Sequence, residues 1–222
     1  MKKTLRIAID GPAAAGKSTV AKKLAEQLSI VYVDTGAMYR ALTLKALQHH
    51  IALHDRAAVF SLLEKTSIQL IQDDEEQQVY MDSENVTPFI RTDEVSNNVS
   101  EIAQHASVRE EMVKRQQEIA KNKNVVMDGR DIGTHVLPDA EVKIFLLASV
   151  EERAERRFLE NKQKGYTVDI DILKKEIKER DEKDMNRKTS PLVQAEDAHV
   201  VDTTSLTIDE VVTKILSYVN KQ

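Results

Sequence analysis

The chain has no cysteine among its 222 residues. This absence excludes disulfides, thiolate catalysis and cysteine-based zinc sites, and it is typical of proteins from a reducing compartment. No apolar stretch is long enough to cross a bilayer, and the apolar run after Met1 ends at Asp10, which is too short for a secretory signal. We therefore expect a cytoplasmic protein with no membrane partner.

The sequence also lacks an excess of positive charge. Its formal net charge is −5, so no global field attracts DNA, RNA or anionic lipid. We expect no nucleic-acid partner, and any cluster of arginines must be a local site. Internal repeats and low-complexity linkers are missing too. No long apolar surface stripe is evident, which favours a monomer.

One stretch carries a specific signature. Gly11–Ser18 reads G-x-x-x-x-G-K-S between a short apolar run and a segment with helical spacing. In this motif backbone amides surround phosphate oxygens, the lysine reaches the β- and γ-phosphates, and the serine hydroxyl holds Mg²⁺. The alternative is a Gly/Ala turn before an ordinary helix, but context and spacing favour a triphosphate site. The predicted binding residues are Gly11, Pro12, Ala13, Ala14, Ala15, Gly16, Lys17, Ser18 and Thr19, with Ser18 as the metal ligand.

Apolar runs alternate with helical patterns along most of the chain, which predicts a three-layer α/β core of about five parallel strands. The predicted strands are Leu5–Ile9, Ile30–Val33, Val125–Met127, Val142–Leu147 and His199–Asp202. Between them, Ser67–Gln72 and Gln78–Met81 alternate polar and apolar residues around the polar turn Asp73–Glu76. This pattern predicts an antiparallel hairpin inside an inserted α+β subdomain.

Several helix starts are predicted from capping patterns. Asp55 and Thr92 are expected as N-caps of single helices. Capping boxes are expected at Ser107–Glu110, Ser149–Glu152 and Thr207–Glu210.

Arginines stand at places where α/β sheets bind ligands. Asp34–Arg40 and Asp128–Thr134 each follow a predicted core strand directly, at the carboxyl edge of the sheet. Arg180, Asp184 and Arg187 have the spacing of one helix face. Each set has a plainer interpretation. The helical set could be a surface ladder of ion pairs, Asp128 and Asp131 could be helix caps, and Arg40 an ordinary helix-end charge.

A second helix face carries Arg153, Arg156 and Arg157, which could simply be solvated. A phosphate loop that faces several arginines suits phosphoryl transfer between two anionic substrates. A phosphate acceptor needs no general base, because its second pKa is about 6. The histidine tract at His49, His50 and His54 is expected to be solvated. A switch protein is disfavoured, since no D-x-x-G motif occurs.

Six motifs occur in order along nearly the whole chain. They are Ile9–Ser18, Asp34–Arg40, Ile90–Thr92, Val108–Glu110, Asp128–Thr134 and Glu179–Arg187. Together they resemble the bacterial cytidylate kinase, or (d)CMP kinase, family. The resemblance implies a P-loop kinase core formed by residues 1–62, 121–152 and 170–222, a monophosphate-binding insertion at 63–120 and a short helical lid at 153–169.

The resemblance also implies the activity and the site. ATP with Mg²⁺ would be the donor and CMP or dCMP the acceptor, with Arg157 of the lid contacting ATP. Arg40, Arg130 and Arg187 resemble the arginines that grip the acceptor phosphate and the phosphoryl in flight, which makes them catalytic together with Lys17. Arg180 and Asp184 resemble residues near that phosphate and the sugar hydroxyls.

Thr35, Ser100, Arg109 and Asp131 resemble the group that reads cytosine. Cytosine has an amino donor beside two acceptors, so a carboxylate with an arginine or hydroxyl matches it. Uracil would set a carbonyl against Asp131, which should penalise UMP. Some members of the family have serine in place of Thr35, and both residues keep the hydroxyl.

The sequence leaves two alternatives to this activity. One is another small-acceptor P-loop kinase acting on UMP, AMP or shikimate, and the other is a nucleotide-dependent binding module. An exposed Arg187 contributes little to stability, so Arg187→Ala should lower turnover while the fold stays stable.

Overall fold

The computed structural model describes residues 4–73, 77–163 and 165–221. The strands among them are β1 (Arg6–Asp10), β2 (Val31–Asp34), β3 (Ile68–Gln72), β4 (Gln77–Met81), β5 (Glu84–Asn85), β6 (Val125–Gly129), β7 (Val142–Leu147) and β8 (His199–Asp202). Strands β2, β6, β1, β7 and β8 form one parallel sheet in that order. The predicted parallel core is confirmed.

The helices of these segments are α1 (Lys17–Leu28), α2 (Thr35–Gln48), α3 (Arg56–Glu64), α4 (Asp93–Ala103), α5 (Ala106–Ala120), α6 (Val150–Gln163), α7 (Ile170–Asn186) and α8 (Ile208–Val219). A π-helical turn, Ile132–Val136, follows β6 and has no counterpart among the predicted elements. Within the described segments, no helix has the length and apolar character needed to span a membrane.

The core lies on both faces of β1, where Ile7, Ala8 and Ile9 are fully buried. On one face, Ile7 and Ile9 pack with residues of α1 and α8. On the other, Ala8 packs with Met127 of β6 and with residues of α5 and the π-helical turn. A strand covered on both faces is apolar throughout, and this is why its sequence reads as a continuous apolar run.

Three aspartates meet at the carboxyl edge of the sheet. Asp34 of β2 lies opposite Asp128 of β6, and Asp10 of β1 lies opposite Gly129. Each strand ends there because a polar or glycine-containing segment follows its apolar run. The edge therefore collects carboxylates at the place where α/β sheets bind ligands.

The inserted hairpin is confirmed, with β3 and β4 antiparallel and Gln72 opposite Gln77. Residues 74–76 of the predicted turn lie outside the described residues. The two-residue strand β5 was not predicted. The Gln77 side chain accepts the Asp34 N–H at 3.0 Å and donates to the Tyr32 carbonyl at 2.5 Å. This single amide holds the hairpin against the outer edge of β2.

The predicted caps have mixed outcomes. Asp55 and Thr92 cap α3 and α4 as expected, and the capping box at Thr207–Glu210 is complete. The box at Ser107–Glu110 is wrong, because α5 begins at Ala106 and Ser107 lies inside it.

The box at Ser149–Glu152 is only half formed. The Ser149 hydroxyl accepts the Glu152 N–H at 3.2 Å, but the Glu152 carboxylate turns to Arg156 at 2.9 Å. The Ser149 N–H bonds instead to the Thr204 hydroxyl. An ion pair one turn along the helix has replaced the second capping bond.

Candidate active site

The phosphate loop connects β1 to α1, and two of its glycines are required by its shape. A Cβ on Gly11 would lie 2.4 Å from the Leu146 carbonyl oxygen, which is too close for any side chain. Gly16 has a φ of 87° at the N-cap of α1, in the left-handed region that favours glycine. Packing on β7 and entry into α1 therefore fix the loop that the sequence motif predicted.

Lys17 and Ser18 are the first two residues of α1, directly after this loop. The Lys17 ammonium donates to the Pro12 carbonyl at 2.6 Å, and burial together with nearby Arg130 lowers its pKa well below the usual value. The Ser18 hydroxyl donates to Asp128 Oδ2 at 2.9 Å. A lysine held by one carbonyl in a buried, cationic setting would gain from an incoming phosphate.

Asp128 is not a helix cap. Its second oxygen accepts the Tyr32 hydroxyl at 2.9 Å, so both oxygens bond to side chains of the site. Burial, followed by neighbouring Asp34, raises the pKa of Asp128. Asp128 was not among the predicted site residues, although its place at the end of a core strand was a usable signal.

Two cavities adjoin the phosphate loop. The larger has a volume of about 1040 Å³. The predicted triphosphate residues that line it are Ala14, Gly16, Lys17, Ser18, Thr19 and Arg157. Ala13 does not line this cavity, since its N–H donates to Asp181 at 3.1 Å and its carbonyl accepts from Arg153 at 3.0 Å. Gly11, Pro12 and Ala15 also lie outside its lining.

The smaller cavity has a volume of about 190 Å³ and shares Lys17, Ser18 and Arg157 with the larger one. All nine predicted acceptor-binding residues line it. They are Thr35, Arg40, Ser100, Arg109, Arg130, Asp131, Arg180, Asp184 and Arg187. These residues come from five separate stretches of the chain, and the fold brings them together beside the phosphate loop.

One carboxylate holds two arginines at the entrance to α2. Asp34 Oδ2 accepts from Arg40 at 2.8 Å and from Arg91 at 2.7 Å. Burial alone would raise the pKa of Asp34, but Arg40 and Arg91 outweigh it and lower the pKa. Arg40 is thus more than an ordinary helix-end charge, while Asp34 and Arg91 were not predicted as site residues.

A second carboxylate, Asp184, lies among three arginines. Arg130 Nε donates to it at 2.9 Å, and Arg187 Nη1 lies 3.7 Å away. Burial, followed by Arg130, lowers the pKa of Arg180 to about 10. The Arg187 side chain is only 5% exposed, so the expectation of an exposed Arg187 is wrong. The surface-ladder interpretation of this helix face is wrong for the same reason.

Several guanidinium nitrogens of the smaller cavity have no protein acceptor. Within the described residues, Nε of Arg40 and Arg180 and Nη2 of Arg187 are buried and make no hydrogen bond. Buried donors are rarely left unpaired in folded proteins. An arrangement of this kind fits an anionic ligand that accepts from guanidinium groups.

Arg109 and Asp131 form a buried pair on the opposite wall. Their side chains are hydrogen-bonded, and Arg109 also donates to the Ala103 carbonyl at 3.0 Å. Asp131 makes no side-chain capping bond, so the interpretation as a cap is wrong. The Arg109 guanidinium lies 5.4 Å from the ring centroid of Tyr39, a residue that was not predicted.

The Thr35 and Tyr39 hydroxyls differ in the hydrogen-bonding capacity that they leave for a ligand. The Thr35 hydroxyl donates to the Asp128 carbonyl at 2.7 Å, so only its acceptor capacity is left for a ligand. The Tyr39 hydroxyl is buried and has no hydrogen-bond partner in the described part of the chain, and burial raises its pKa to about 12. An amino donor on a ligand would suit the acceptor that Thr35 presents.

The arginines of α6 separate into three roles. Arg153 is 4% exposed and pairs with Asp181 at 2.5 Å, so a solvated face is the wrong interpretation for it. Arg156 donates to the Thr203 carbonyl at 2.7 Å. Arg157 lines both cavities. Arg153 and Asp181 together hold the Ala13 peptide, which ties α6 and α7 to the phosphate loop.

The parallel sheet, the phosphate loop and the arginine-lined cavity define a P-loop kinase. Solved structures with this fold include an uncharacterized protein from Eubacterium ventriosum, with a TM-score of 0.53 and 15% identity over 99% of this chain and 100% of that one. A shikimate kinase from Bacteroides thetaiotaomicron has a TM-score of 0.50 and 16% identity over 98% and 99%. At these identities the likeness shows the fold alone.

The sequence comparisons are more specific. The family model described as cytidylate kinase matches residues 7–221. A cytidylate kinase from Bacillus pumilus is 64% identical over 97% of this chain and 96% of its own length. One from Bacillus subtilis is 59% identical over 100% and 99%. The chain belongs to the cytidylate kinase family, and the resemblance found in the sequence is confirmed.

Proposed function

We propose that the chain transfers the γ-phosphoryl group of ATP to the α-phosphate of CMP or dCMP, giving ADP and CDP or dCDP. The observation that carries this proposal is the smaller cavity, where buried nitrogens of Arg40, Arg180 and Arg187 lack acceptors among the residues that the structure describes. The cavity adjoins Lys17 of the phosphate loop. A donor phosphate and an acceptor phosphate would therefore meet at Lys17.

The residues around that meeting point suit transfer without a general base. The acceptor oxygen is mostly ionised at neutral pH, because the second pKa of a phosphate monoester is about 6. Arg40, Arg130 and Arg187 would hold the acceptor phosphate and the charge that spreads over the moving phosphoryl. The Asp34 and Asp184 carboxylates orient these guanidinium groups through the ion pairs described above.

Base recognition is assigned to the opposite wall. Asp131 would accept the cytosine amino group, Arg109 would donate to the ring acceptors, and the free acceptor capacity of the Thr35 hydroxyl suits the same amino group. Ser100 lines the same cavity. Arg180 and Asp184 are assigned to the phosphate and sugar end.

Magnesium is part of the proposal. The Ser18 hydroxyl would be a ligand of this hard cation, and the Asp128 carboxylate, which accepts from that hydroxyl at 2.9 Å, would orient it from the outer shell. No group of three or more His, Cys, Asp or Glu side chains among the described residues could hold a metal alone, so phosphate oxygens and water would complete the shell. Bound there, Mg²⁺ would neutralise charge on the transferred phosphoryl group.

Asp128→Asn is expected to raise the Mg²⁺ concentration for half-maximal activity by about 10–100-fold, the usual effect of losing an outer-shell carboxylate. Asp139→Asn is the control, because Asp139 is a surface residue whose side chain is 73% exposed. The measurement is initial rate against free Mg²⁺ at saturating ATP. An unchanged midpoint in Asp128→Asn would refute the assignment of Asp128.

A coupled assay of ADP release tests the whole function. CMP and dCMP should support turnover, UMP should be a much poorer acceptor, and AMP and shikimate should give only the rate seen without acceptor. Turnover with AMP or shikimate alone would refute the proposal. An ATPase rate that CMP does not change would instead indicate a binding module.

The division of the chain is also a proposal. Residues 1–62, 121–152 and 170–222 are assigned to the kinase core, 63–120 to the acceptor-binding insertion and 153–169 to the lid. The link from Arg153 and Asp181 to Ala13 supports a lid whose base is fixed on the phosphate loop. We further propose a monomer, to be checked by light scattering, and a cytoplasmic location.

A further inference from the structure

Asp10 is a buried aspartate that was not among the predicted site residues. It links the start of the phosphate loop to the turn that follows Asp131. Asp10 ends β1, directly before Gly11, and is 4% exposed. Its Oδ1 accepts the Ile132 N–H at 2.8 Å and its Oδ2 accepts the Gly133 N–H at 2.7 Å. Both carboxylate oxygens are therefore committed to the π-helical turn that follows β6.

That turn starts immediately after Asp131. Ile132 and Gly133 are its first residues, and the first N–H groups of a helical segment have no carbonyl partner within it. An aspartate at the N-cap position ordinarily satisfies them with its own side chain. Asp131 occupies the N-cap position but makes no such bond, and its carboxylate pairs with Arg109 instead.

We propose that Asp10 is a positioning residue for base recognition, because it caps the turn in place of Asp131 and so leaves the Asp131 carboxylate free to face Arg109 and the pyrimidine. This inference rests on the proposed function and deepens it. Asp131 is among the residues that line the smaller cavity, and Asp10 is not. Asp10 would act on the base only through the turn.

Protonation of Asp10 should make this capping of the turn depend on pH. Burial raises the pKa of the Asp10 carboxyl to about 6, against the opposing effect of its two N–H bonds. The charged groups that face it are Asp131, which also raises the pKa, and Lys17, which lowers it. A proton on one carboxyl oxygen would point at the N–H group that this oxygen accepts, and that hydrogen bond would be lost. Base selectivity should therefore weaken as the pH falls below about 6.

Asp10→Asn is the direct test, because asparagine keeps the size of the side chain but turns one acceptor into an NH₂ donor. The measured quantity is kcat/KM for CMP divided by kcat/KM for UMP on the same preparation, so that any unfolded fraction cancels. We expect this ratio to fall by about tenfold or more, as one buried N–H loses its acceptor. The KM for ATP should change by less than about threefold.

The matched control is Asp55→Asn. Asp55 also accepts two backbone N–H groups, those of Ala57 and Ala58, but it does so at the start of α3, and it is not among the residues that line either cavity of the site. Its ratio should equal that of the unmodified protein. Asp131→Asn is the positive control, because it alters the base-reading carboxylate directly.

The outcomes separate this inference from the function. If Asp131→Asn changes the ratio and Asp10→Asn does not, the role of Asp10 is refuted and the function stands. If the unmodified protein shows no preference for CMP over UMP, base reading by Asp131 and the role of Asp10 are both refuted, while phosphorylation of CMP stands. If Asp10→Asn does not fold, the ratio of the unmodified protein is measured from pH 8 to pH 5.5, where ionisation of Asp10 predicts a fall of about fourfold. Titration of the phosphate cancels between CMP and UMP, so a constant ratio would overturn the proposal.

Discussion

Arg187→Ala is expected to lower kcat by about 10²–10³-fold, which is the usual effect of removing one preorganised donor from a developing anion. Arg187 lines the smaller cavity, and its Nη2 is buried and makes no hydrogen bond within the described residues. Nη2 lies 3.7 Å from Asp131 Oδ1, and Nη1 lies 3.7 Å from Asp184 Oδ1. The guanidinium is therefore held in place while a donor is left for the phosphoryl group.

The same change should leave the free energy of unfolding nearly constant, although the reason is not exposure. Burial, followed by the like charge of Arg109, lowers the pKa of Arg187, so the folded protein disfavours this cation. Alanine relieves that cost and loses one close bond, from Arg187 Nε to the Ser190 carbonyl at 2.6 Å. We expect the two effects to offset each other to within about 1 kcal/mol.

Arg115→Ala is the matched control. Arg115 donates to the Leu63 and Thr66 carbonyls and pairs with Glu111, and it is not among the residues that line the two cavities of the site. It should lower stability and leave kcat unchanged, the reverse of Arg187→Ala. Denaturant unfolding and steady-state kinetics on both variants would decide. A normal kcat in folded Arg187→Ala would return Arg187 to a structural role.

The sequence predicted most of the elements, because these depend on local patterns. The nine residues expected to bind the acceptor all line the smaller cavity, but Ser100, Arg109 and the role of Thr35 were expected only from the resemblance to the family. α1, α7, β7 and β8 have the predicted bounds, since apolar periodicity and a capping or breaking residue mark each end. The arginines were found from their places at strand ends and on one helix face. In a parallel sheet those places converge on one edge whatever the details of packing.

The ion-pair partner of each charged side chain could not be predicted from the sequence. Arg153 and Asp181 lie on neighbouring charged helices, and nothing local distinguishes their buried pair from the solvated charges around them. Arg187 follows the last residue of α7, and its burial depends on a loop in which the Leu192 N–H returns to the Asp184 carbonyl. Periodicity indicates a face, but contacts between distant segments decide what covers it.

Asp131→Asn is expected to shift the acceptor preference from CMP toward UMP. Asparagine presents an NH₂ donor where the carboxylate accepts, and this suits the O4 of uracil better than the amino group of cytosine. A site built around a substrate hydrogen bond rejects the mismatched analogue strongly, so the ratio of kcat/KM for CMP to that for UMP should fall by about 10²-fold or more. Steady-state kinetics with both acceptors on one preparation gives this ratio.

Asparagine is preferred to alanine because of Arg109. This guanidinium is 2% exposed, and its carboxylate partner is Asp131. Alanine would leave it buried without its charge partner, at a cost of about 3–5 kcal/mol, and lost folding would obscure the selectivity. Asparagine keeps one oxygen for Arg109, and Asp197→Asn, which removes a surface partner of Lys143, controls for loss of a carboxylate. If kcat/KM falls equally for CMP and UMP in folded Asp131→Asn, then Asp131 holds Arg109 but does not read the base.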